Sequence, residues 1–528
     1  MRRAVAFIAC ACLSVFVAYP VAAADPLDPA VADKIRDLVT QQMDELHVPG
    51  MAVVVVTADG PVFAEGFGSA DDTGRPVTTQ TPFRLASVSK QFVGIAVHQL
   101  IDDGKLELEA PVTDYLPWFD DQVPVLGKVT IRQLLSHSGG LTGDLDGQDL
   151  GNTSTDDGAL ERFVRHLAQE EPIYPPGEFH YNNANYNVLA LLVATAAGTT
   201  YEDYLQEHVL TPLQMSHTHL TDAAARADGV AQGHYPFFGF VVPWEIPFSR
   251  GSMGSASVVS SAEDLGHVLT AHLNEGRFAD AQVLSPEAMA DLETPLLHMA
   301  AWDGYGWGWW STPLYDGGAI HDVDGVPQYQ APVMLEHGGS ISNFAAGLLV
   351  MPEAGYGVVV LMNLNDELVA SRYHQTHFGI AHILAGLDAP ALATYEDALD
   401  QNGRLISAGV PLLQLTGILF ATWHFRRWRR RRPDTGSTRW RLGNLVLPLL
   451  TDFGIPLYLW SLVLTRAEDS FDLVRTLAFS PDIGLALVLM TALGPVWGIL
   501  RTILTLRLMR ASPPQQASPG SDPIASTA

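Results

Sequence analysis

Phe83-Arg84-Leu85-Ala86-Ser87-Val88-Ser89-Lys90-Gln91-Phe92 is the stretch on which the reading of this chain turns. Beyond Lys90 the apolar residues Phe92, Ile95, Ala96 and Leu100 recur at helical spacing up to Gly104, so Ser87 and Lys90 are predicted in the first turn of a helix. Residues three apart share a helical face, which lets the Lys90 amine reach the Ser87 hydroxyl. A serine hydroxyl is a weak nucleophile until a neighbouring base takes its proton, and an amine serves as that base when burial lowers its pKa. The helix N-terminus adds unpaired backbone N–H groups and the positive end of a dipole beside the hydroxyl. The segment therefore offers a nucleophile, a candidate base and part of an oxyanion site. A bare S-x-x-K also has an ordinary explanation, a capping serine beside a solvated lysine, so other residues have to carry the assignment.

The 528 residues exceed one ordinary domain, and their composition changes along the chain. Residues 1–24 open with Arg2-Arg3, continue as an apolar run from Ala4 to Val21 and close on Ala22-Ala23-Ala24, the pattern of a secretory signal with an A-x-A cleavage site. Both cysteines, Cys10 and Cys12, fall in it, so the processed chain is expected to use no thiol nucleophile, disulfide or thiolate metal site. Residues 25–404 carry 15 Lys and Arg against 51 Asp and Glu, an acidic surface that repels nucleic acid and anionic lipid, and no nucleic-acid partner is expected.

Three apolar segments follow, at about 405–425, 442–464 and 483–500, each near the length a helix needs to cross a bilayer, although Pro448, Asp452, Gly454 and Pro456 make the second irregular. The run Arg426-Arg427-Trp428-Arg429-Arg430-Arg431-Arg432 separates the first two, and Arg501, Arg507 and Arg510 follow the third, so both flanks are predicted to be cytoplasmic. The expected organisation is a signal over 1–24, a catalytic domain over 25–395, a membrane domain of three helices over 396–510 and a disordered tail over 511–528. The expected location is a bacterial cytoplasmic membrane, with the catalytic domain on its periplasmic or extracellular side.

Along the exported part, Asp28–Leu46 reads as an amphipathic helix, and Met51–Thr57 and Val62–Gly68 as strands around the turn Ala58-Asp59-Gly60. His137, in Leu135-Ser136-His137-Ser138-Gly139-Gly140, could act as a base, but the glycines beside it favour a structural turn. Tyr181 and Asn183 lie in a polar, aromatic loop, Pro175–Tyr186, and form the chain's only Y-x-N. A phenol near an ammonium can shuttle protons, and an asparagine amide offers a donor and an acceptor to a substrate amide. His217 and His219 have a metal-ligand spacing without a continuation that would complete a site, and His374 and His377 are three apart on a predicted helix. Neither H-E-x-x-H nor G-x-S-x-G occurs. Pro332–Glu336 leads into His337-Gly338-Gly339-Ser340, and Phe344–Met351 and Tyr356–Met362 read as adjacent strands. A glycine-rich strand edge lets a substrate backbone approach closely.

In order, Ser87-Val88-Ser89-Lys90, Tyr181-Asn182-Asn183 and His337-Gly338-Gly339 resemble the motifs of the serine β-lactamase and penicillin-binding-protein-like family, in its class C branch. That branch includes class C β-lactamases, D-Ala-D-Ala carboxypeptidases, D-aminopeptidases and family VIII carboxylesterases. The likeness runs from about Asp28 to about Leu387 and takes in Leu134–Leu141, Pro212–Thr218, Ser260–Leu265 and Tyr305–Trp309. It implies an α/β (α+β) fold, a mainly antiparallel sheet flanked by helices, with a helical lobe roughly between Leu106 and Leu265. It implies Ser87 as the acylated nucleophile, Lys90 and Tyr181 as the proton-transfer pair, and Asn183, His337 and Gly339 as substrate-binding residues. The oxyanion hole would be the backbone N–H groups of Ser87 and Ser340. No cofactor or metal is expected.

Two departures from the family pattern stand out. Gly338 replaces the threonine or serine hydroxyl that β-lactam-recognising relatives offer to a substrate carboxylate, in a motif whose first position, His337 here, is lysine in many relatives and histidine in others. No glutamate can be assigned to activate a deacylating water, so slow turnover of β-lactams is expected. The expected function is an exported, membrane-anchored serine hydrolase forming an acyl-enzyme on an ester or amide, with a small-molecule or peptide substrate that could be cell-wall derived. The alternatives are a promiscuous carboxylesterase and a catalytically silent ligand-binding or sensor module.

Overall fold

The computed structural model describes residues 25–141, 154–300, 303–314, 320–323, 326–329, 333–366, 369–391, 398–431, 453–454, 457–458, 461, 477 and 480–511. Helix α1 (Pro29–Leu46) starts where the Asp28 side chain accepts from the Ala30 N–H with Pro29 in the first turn, and it ends on His47 in the left-handed region. Strands β1 (Gly50–Thr57) and β2 (Gly60–Gly68) follow as a hairpin. Helix α2 (Lys90–Asp102) carries the decisive motif at its start.

A helical lobe intervenes, including α3 (Asn183–Ala197), and then a hairpin of β3 (His234–Phe237) and β4 (Phe240–Pro243) that sequence periodicity did not reveal. Helix α4 (Ala262–Leu273) returns the chain to the sheet. Strands β5 (Leu297–Ala300), β6 (Asp303–Gly306), β7 (Trp309–Pro313), β8 (Val333–Ile341), β9 (Phe344–Met351) and β10 (Tyr356–Met362) complete it. The eight strands pair antiparallel in the order β2-β1-β10-β9-β8-β7-β6-β5. Helix α5 (Ala370–Leu384) closes the domain against α1.

The apolar run Met51–Val56 is buried throughout because both faces of β1 are covered. Ala52, Val54 and Val56 point with Leu348, Val350, Val359 and Leu361 into a core shared with α2, α4 and the helical lobe. Met51, Val53 and Val55 point the other way, with Leu349, Val358 and Val360, toward α1 and α5. Strand alternation thus builds two cores from one strand, and the fold expected from the sequence is the fold observed.

Two of the three expected apolar segments are helices longer than the sequence delimited: 405–425 lies within α6 (Ala398–Arg431) and 483–500 within α7 (Pro481–Ala511). Both are long and apolar enough to cross a membrane. Gln414 donates to the Met490 carbonyl at 3.5 Å and Gly417 abuts the Trp497 ring, so α6 and α7 run parallel. The second segment, 442–464, lies outside the described residues except at 453–454, 457–458 and 461, as do the 1–24 signal and residues 512–528.

Candidate active site

Leu85 brings the chain off a short strand into one 3-10 turn, Ala86–Ser89, that runs directly into α2. Lys90 is the first residue of the α-helix, and the tighter turn before it eclipses positions three apart. The Lys90 Nζ consequently donates to Ser87 Oγ at 3.0 Å. It also donates to Asn183 Oδ1 at 2.6 Å and to the Ser255 carbonyl at 3.2 Å. Three acceptors match the three protons of an ammonium, which offsets the cost of burying Lys90 completely. Ala86, just before Ser87, has φ 48, a conformation rare for a residue with a Cβ. Ser87 remains half-exposed.

Asn183 reaches Lys90 because α3 begins there: the Asn182 side chain caps the helix by accepting from the Ala184 N–H. Tyr181 immediately precedes the cap, is 37% exposed, and presents its ring 4.9 Å from Lys90 Nζ. Beneath it lies His137, fully buried, with ring centroids 4.2 Å from Tyr181, 5.0 Å from Tyr186 and 4.7 Å from Tyr305. Burial first, and the Lys90 charge second, hold the His137 imidazole well below its ordinary pKa. Its Nδ1 accepts from the Asn182 backbone N–H at 3.2 Å, and its backbone takes φ 53. His137 is therefore the neutral floor of the aromatic layer, in keeping with the structural turn read from its glycine neighbours.

The third wall is β8. Its partner β9 pairs with Leu335–Ile341, whereas β7 pairs only as far as Trp310 opposite Glu336, so the edge from His337 to Ile341 faces the Ser87 turn. A Cβ on Gly339 would lie 2.0 Å from the Leu85 carbonyl oxygen, so only glycine lets the strand pass this close to the Ser87 turn. This contact brings the Ser87 and Ser340 segments together; Ser340 Oγ accepts from Asn365 Nδ2 at 2.6 Å. His337 is buried, and burial first and Lys90 second hold its pKa at about 3. Its Nδ1 lies 2.7 Å from the Gly338 carbonyl and so must donate; the neutral ring then leaves Nε2 to accept from Tyr305 Oη at 3.1 Å.

All three motifs therefore meet at one half-open cleft. A family model described as Beta-lactamase matches residues 35–378. The chain belongs to the beta-lactamase family. It is 31% identical over 362 residues to penicillin-binding protein 4 of Amycolatopsis lactamdurans, covering 66% of this chain and 88% of that protein. It is 26% identical over 408 residues to protein flp of Staphylococcus aureus strain MW2, covering 75% of each. Among solved structures, an octameric penicillin-binding protein homologue from Pyrococcus abyssi superposes with TM-score 0.58 at 24% identity, over 68% of this chain and 78% of that one. D-alanine carboxypeptidase AmpC from Burkholderia cenocepacia gives 0.53 at 23%, over 68% and 99%. These structural likenesses establish the shared fold.

In this beta-lactamase-family domain, Ser87, Lys90, Asn183, Tyr181, His337 and Gly339 lie together around the Ser87 turn. Sequence reasoning missed the Ser255 carbonyl, Tyr305 and Trp310, whose ring stacks parallel to Tyr181 at 6.4 Å. It also missed Tyr186, whose hydroxyl donates to the Leu135 carbonyl. A signal was present for Ser255. The loop 249–257 alternates serine and glycine, and a Cβ on Gly254 would strike the Tyr186 carbonyl, the close approach that delivers Ser255 to Lys90. The His217 and His219 pair has a structural partner: His217 Nδ1 and His219 Nε2 both meet Asp228 Oδ2, at 2.9 and 2.7 Å.

Proposed function

We propose that this chain is a membrane-anchored serine hydrolase that forms an acyl-enzyme at Ser87. The observation that carries the reading is the Lys90 ammonium bridging Ser87 Oγ at 3.0 Å and Asn183 Oδ1 at 2.6 Å, with the Tyr181 ring against the same nitrogen. Ser87 Oγ attacks the substrate carbonyl carbon; its proton passes by way of the Tyr181 oxygen, beside the Lys90 ammonium, to the leaving oxygen or nitrogen as that bond breaks. Backbone N–H groups of Ser87 and Ser340 hold the developing oxyanion, and Asn183 orients the acyl side chain. Water then releases the acid and restores the serine.

The third motif favours an ester or an amide without a carboxylate beside the scissile bond. His337 is neutral, spends its one N–H on the Gly338 carbonyl and its remaining nitrogen on Tyr305, so it has no charge or donor left for an anion. The carboxylesterase reading therefore gains over the D-alanyl peptide and β-lactam readings, and a silent binding module is disfavoured by the intact Ser87–Lys90 contact.

The anchor is read from α6 and α7. Because they run parallel, and each ends in arginines, the chain from 432 to 480 has to return to the side on which α6 starts, which supports the third crossing and an outward-facing catalytic domain over about 25–395. The test is intact-mass analysis of the full chain after exposure to a fluorophosphonate, a nitrophenyl ester, benzylpenicillin and a D-Ala-D-Ala peptide. The expected result is an adduct on Ser87 that Ser87→Ala abolishes, with ester turned over fastest; labelling that survives the substitution overturns the assignment.

A further inference from the structure

The hairpin β3–β4 has a composition that water does not explain. Residues 233–244 contain no Asp, Glu, Lys or Arg in a domain otherwise rich in acid, and Phe237, Phe238, Phe240, Val241 and Val242 crowd its tip. Phe240 is 75% exposed. Phe237 pairs with Phe240, leaving Phe238-Gly239 as a two-residue turn with both φ positive, at 47° and 85°. Such a turn ordinarily takes Asn-Gly or Asp-Gly, because a bulky side chain in the left-handed region is strained. Here phenylalanine holds the position where a polar residue would be both easier to fold and better hydrated.

The hairpin is docked on α7, at the start of its apolar span. Tyr235 Oη donates to Asp482 Oδ1 at 2.7 Å and the Phe238 backbone N–H donates to Asp482 Oδ2 at 2.9 Å, so the fully buried Asp482 carboxylate ties the tip to the first turn of the helix. Phe238 then packs on the cluster of Ala486, Leu487 and Met490. At 1.5 Å per residue, Met490 lies about 12 Å along the helix from Asp482. The tip thus reaches past the end of the helix to a depth that, in a bilayer, is the boundary between headgroups and acyl chains.

We propose that the β3–β4 hairpin is a membrane-inserting element whose partner is the lipid bilayer itself, with Phe240 in the acyl boundary beside the first turns of α7. The proposal rests on the membrane-anchor reading of α7. It deepens that reading: the catalytic domain does not swing on a tether but is seated at a fixed height. The seating extends to the catalytic strand, since Asn343, in the turn between β8 and β9, donates from Nδ2 to the Trp244 carbonyl at 2.7 Å, directly after β4.

The experiment uses the full chain with Cys10 and Cys12 replaced by serine, reconstituted in phosphatidylcholine vesicles, with a nitroxide attached at Phe240→Cys, Val496→Cys or Asp59→Cys. Collision with oxygen reports lipid, and collision with a water-soluble nickel chelate reports solvent. The expected result is that position 240 takes a lipid signature, with oxygen access above nickel access at a ratio between those of Val496→Cys and Asp59→Cys, while Asp59→Cys shows the reverse. A solvent signature at 240 with a lipid signature at 496 overturns the hairpin proposal and leaves the anchor standing. A solvent signature at both positions overturns both. Because Phe240 is exposed, the variant should melt at the same temperature as the parent chain, and a label-free melt checks this.

Discussion

His374 on α5 occupies the space that a side chain at Gly338 would need: a Cβ there would lie 2.7 Å from its Cε1 and 2.8 Å from its Nδ1. The same helix lays His377 against Gly347, where a Cβ would lie 2.1 Å from Nδ1. Gly338 and Gly347 are register partners on β8 and β9, so a glycine pair in the sheet receives two imidazoles from the helix behind it, His377 buried and His374 partly buried. The missing hydroxyl in the third motif is thus part of a packing arrangement.

Gly338→Thr should therefore destabilise the domain by about 1–3 kcal/mol, the usual cost of forcing atoms into a packed core. Combining it with His374→Ala should recover part of that loss, because the two changes exchange volume at one contact. Thermal melts of the two single variants and the double variant read the coupling. Strictly additive effects would mean that the contact is not shared.

The back of β8 also sets a pH profile. Burial raises the Glu336 carboxyl to about 7 and lowers His374 to about 4 and His377 to about 3. A raised carboxyl gives stability that is present below its unfolded value near 4.5 and lost as pH rises through 7. Lowered histidines give stability that is present above 6.5 and lost as pH falls toward 4. His272, buried and lowered to about 4, and His337 act in the same direction as His374. The melting temperature should therefore fall on acidification below about pH 6.5, as the lowered histidines, which also include His137 and His267, outnumber the raised carboxyls Asp264, Glu293, Asp303 and Glu336. Glu336→Gln should raise it at pH 8 and change it little at pH 4.5. Melts across pH 4.5 to 9 test both limbs.

Restoring a cation to the third motif should shift selectivity. His337→Lys replaces a neutral ring with an ammonium near the cleft, so acylation by benzylpenicillin should rise relative to hydrolysis of a neutral ester by about tenfold, or ~1.4 kcal/mol. The ratio of the two second-order rate constants is the readout. An unchanged ratio would mean that position 337 does not meet a substrate carboxylate.

Tyr181→Phe should leave the fold intact, because the ring stays stacked on Trp310 and the residue is 37% exposed. If the phenol carries the proton, kcat on a nitrophenyl ester should drop by roughly 10²–10⁴-fold with little change in melting temperature. A drop below about fivefold would transfer the role to Lys90 alone.

Local sequence determined the elements and their chemistry. The i, i+3 spacing of Ser87 and Lys90 survives as a 3.0 Å contact because one turn of helix sets it. The continuous apolar runs of strand length in β1, β9 and β10 mark them as buried strands whatever they pair with. Only the tertiary structure decided which partners complete the site. The Ser255 carbonyl, Tyr305 and His374 come from 32 to 165 residues away from the groups they touch, and no local periodicity encodes such distances. The charge state of His337 belongs to the same class, since a histidine is titratable in any sequence and becomes neutral here through burial and the approach of Lys90.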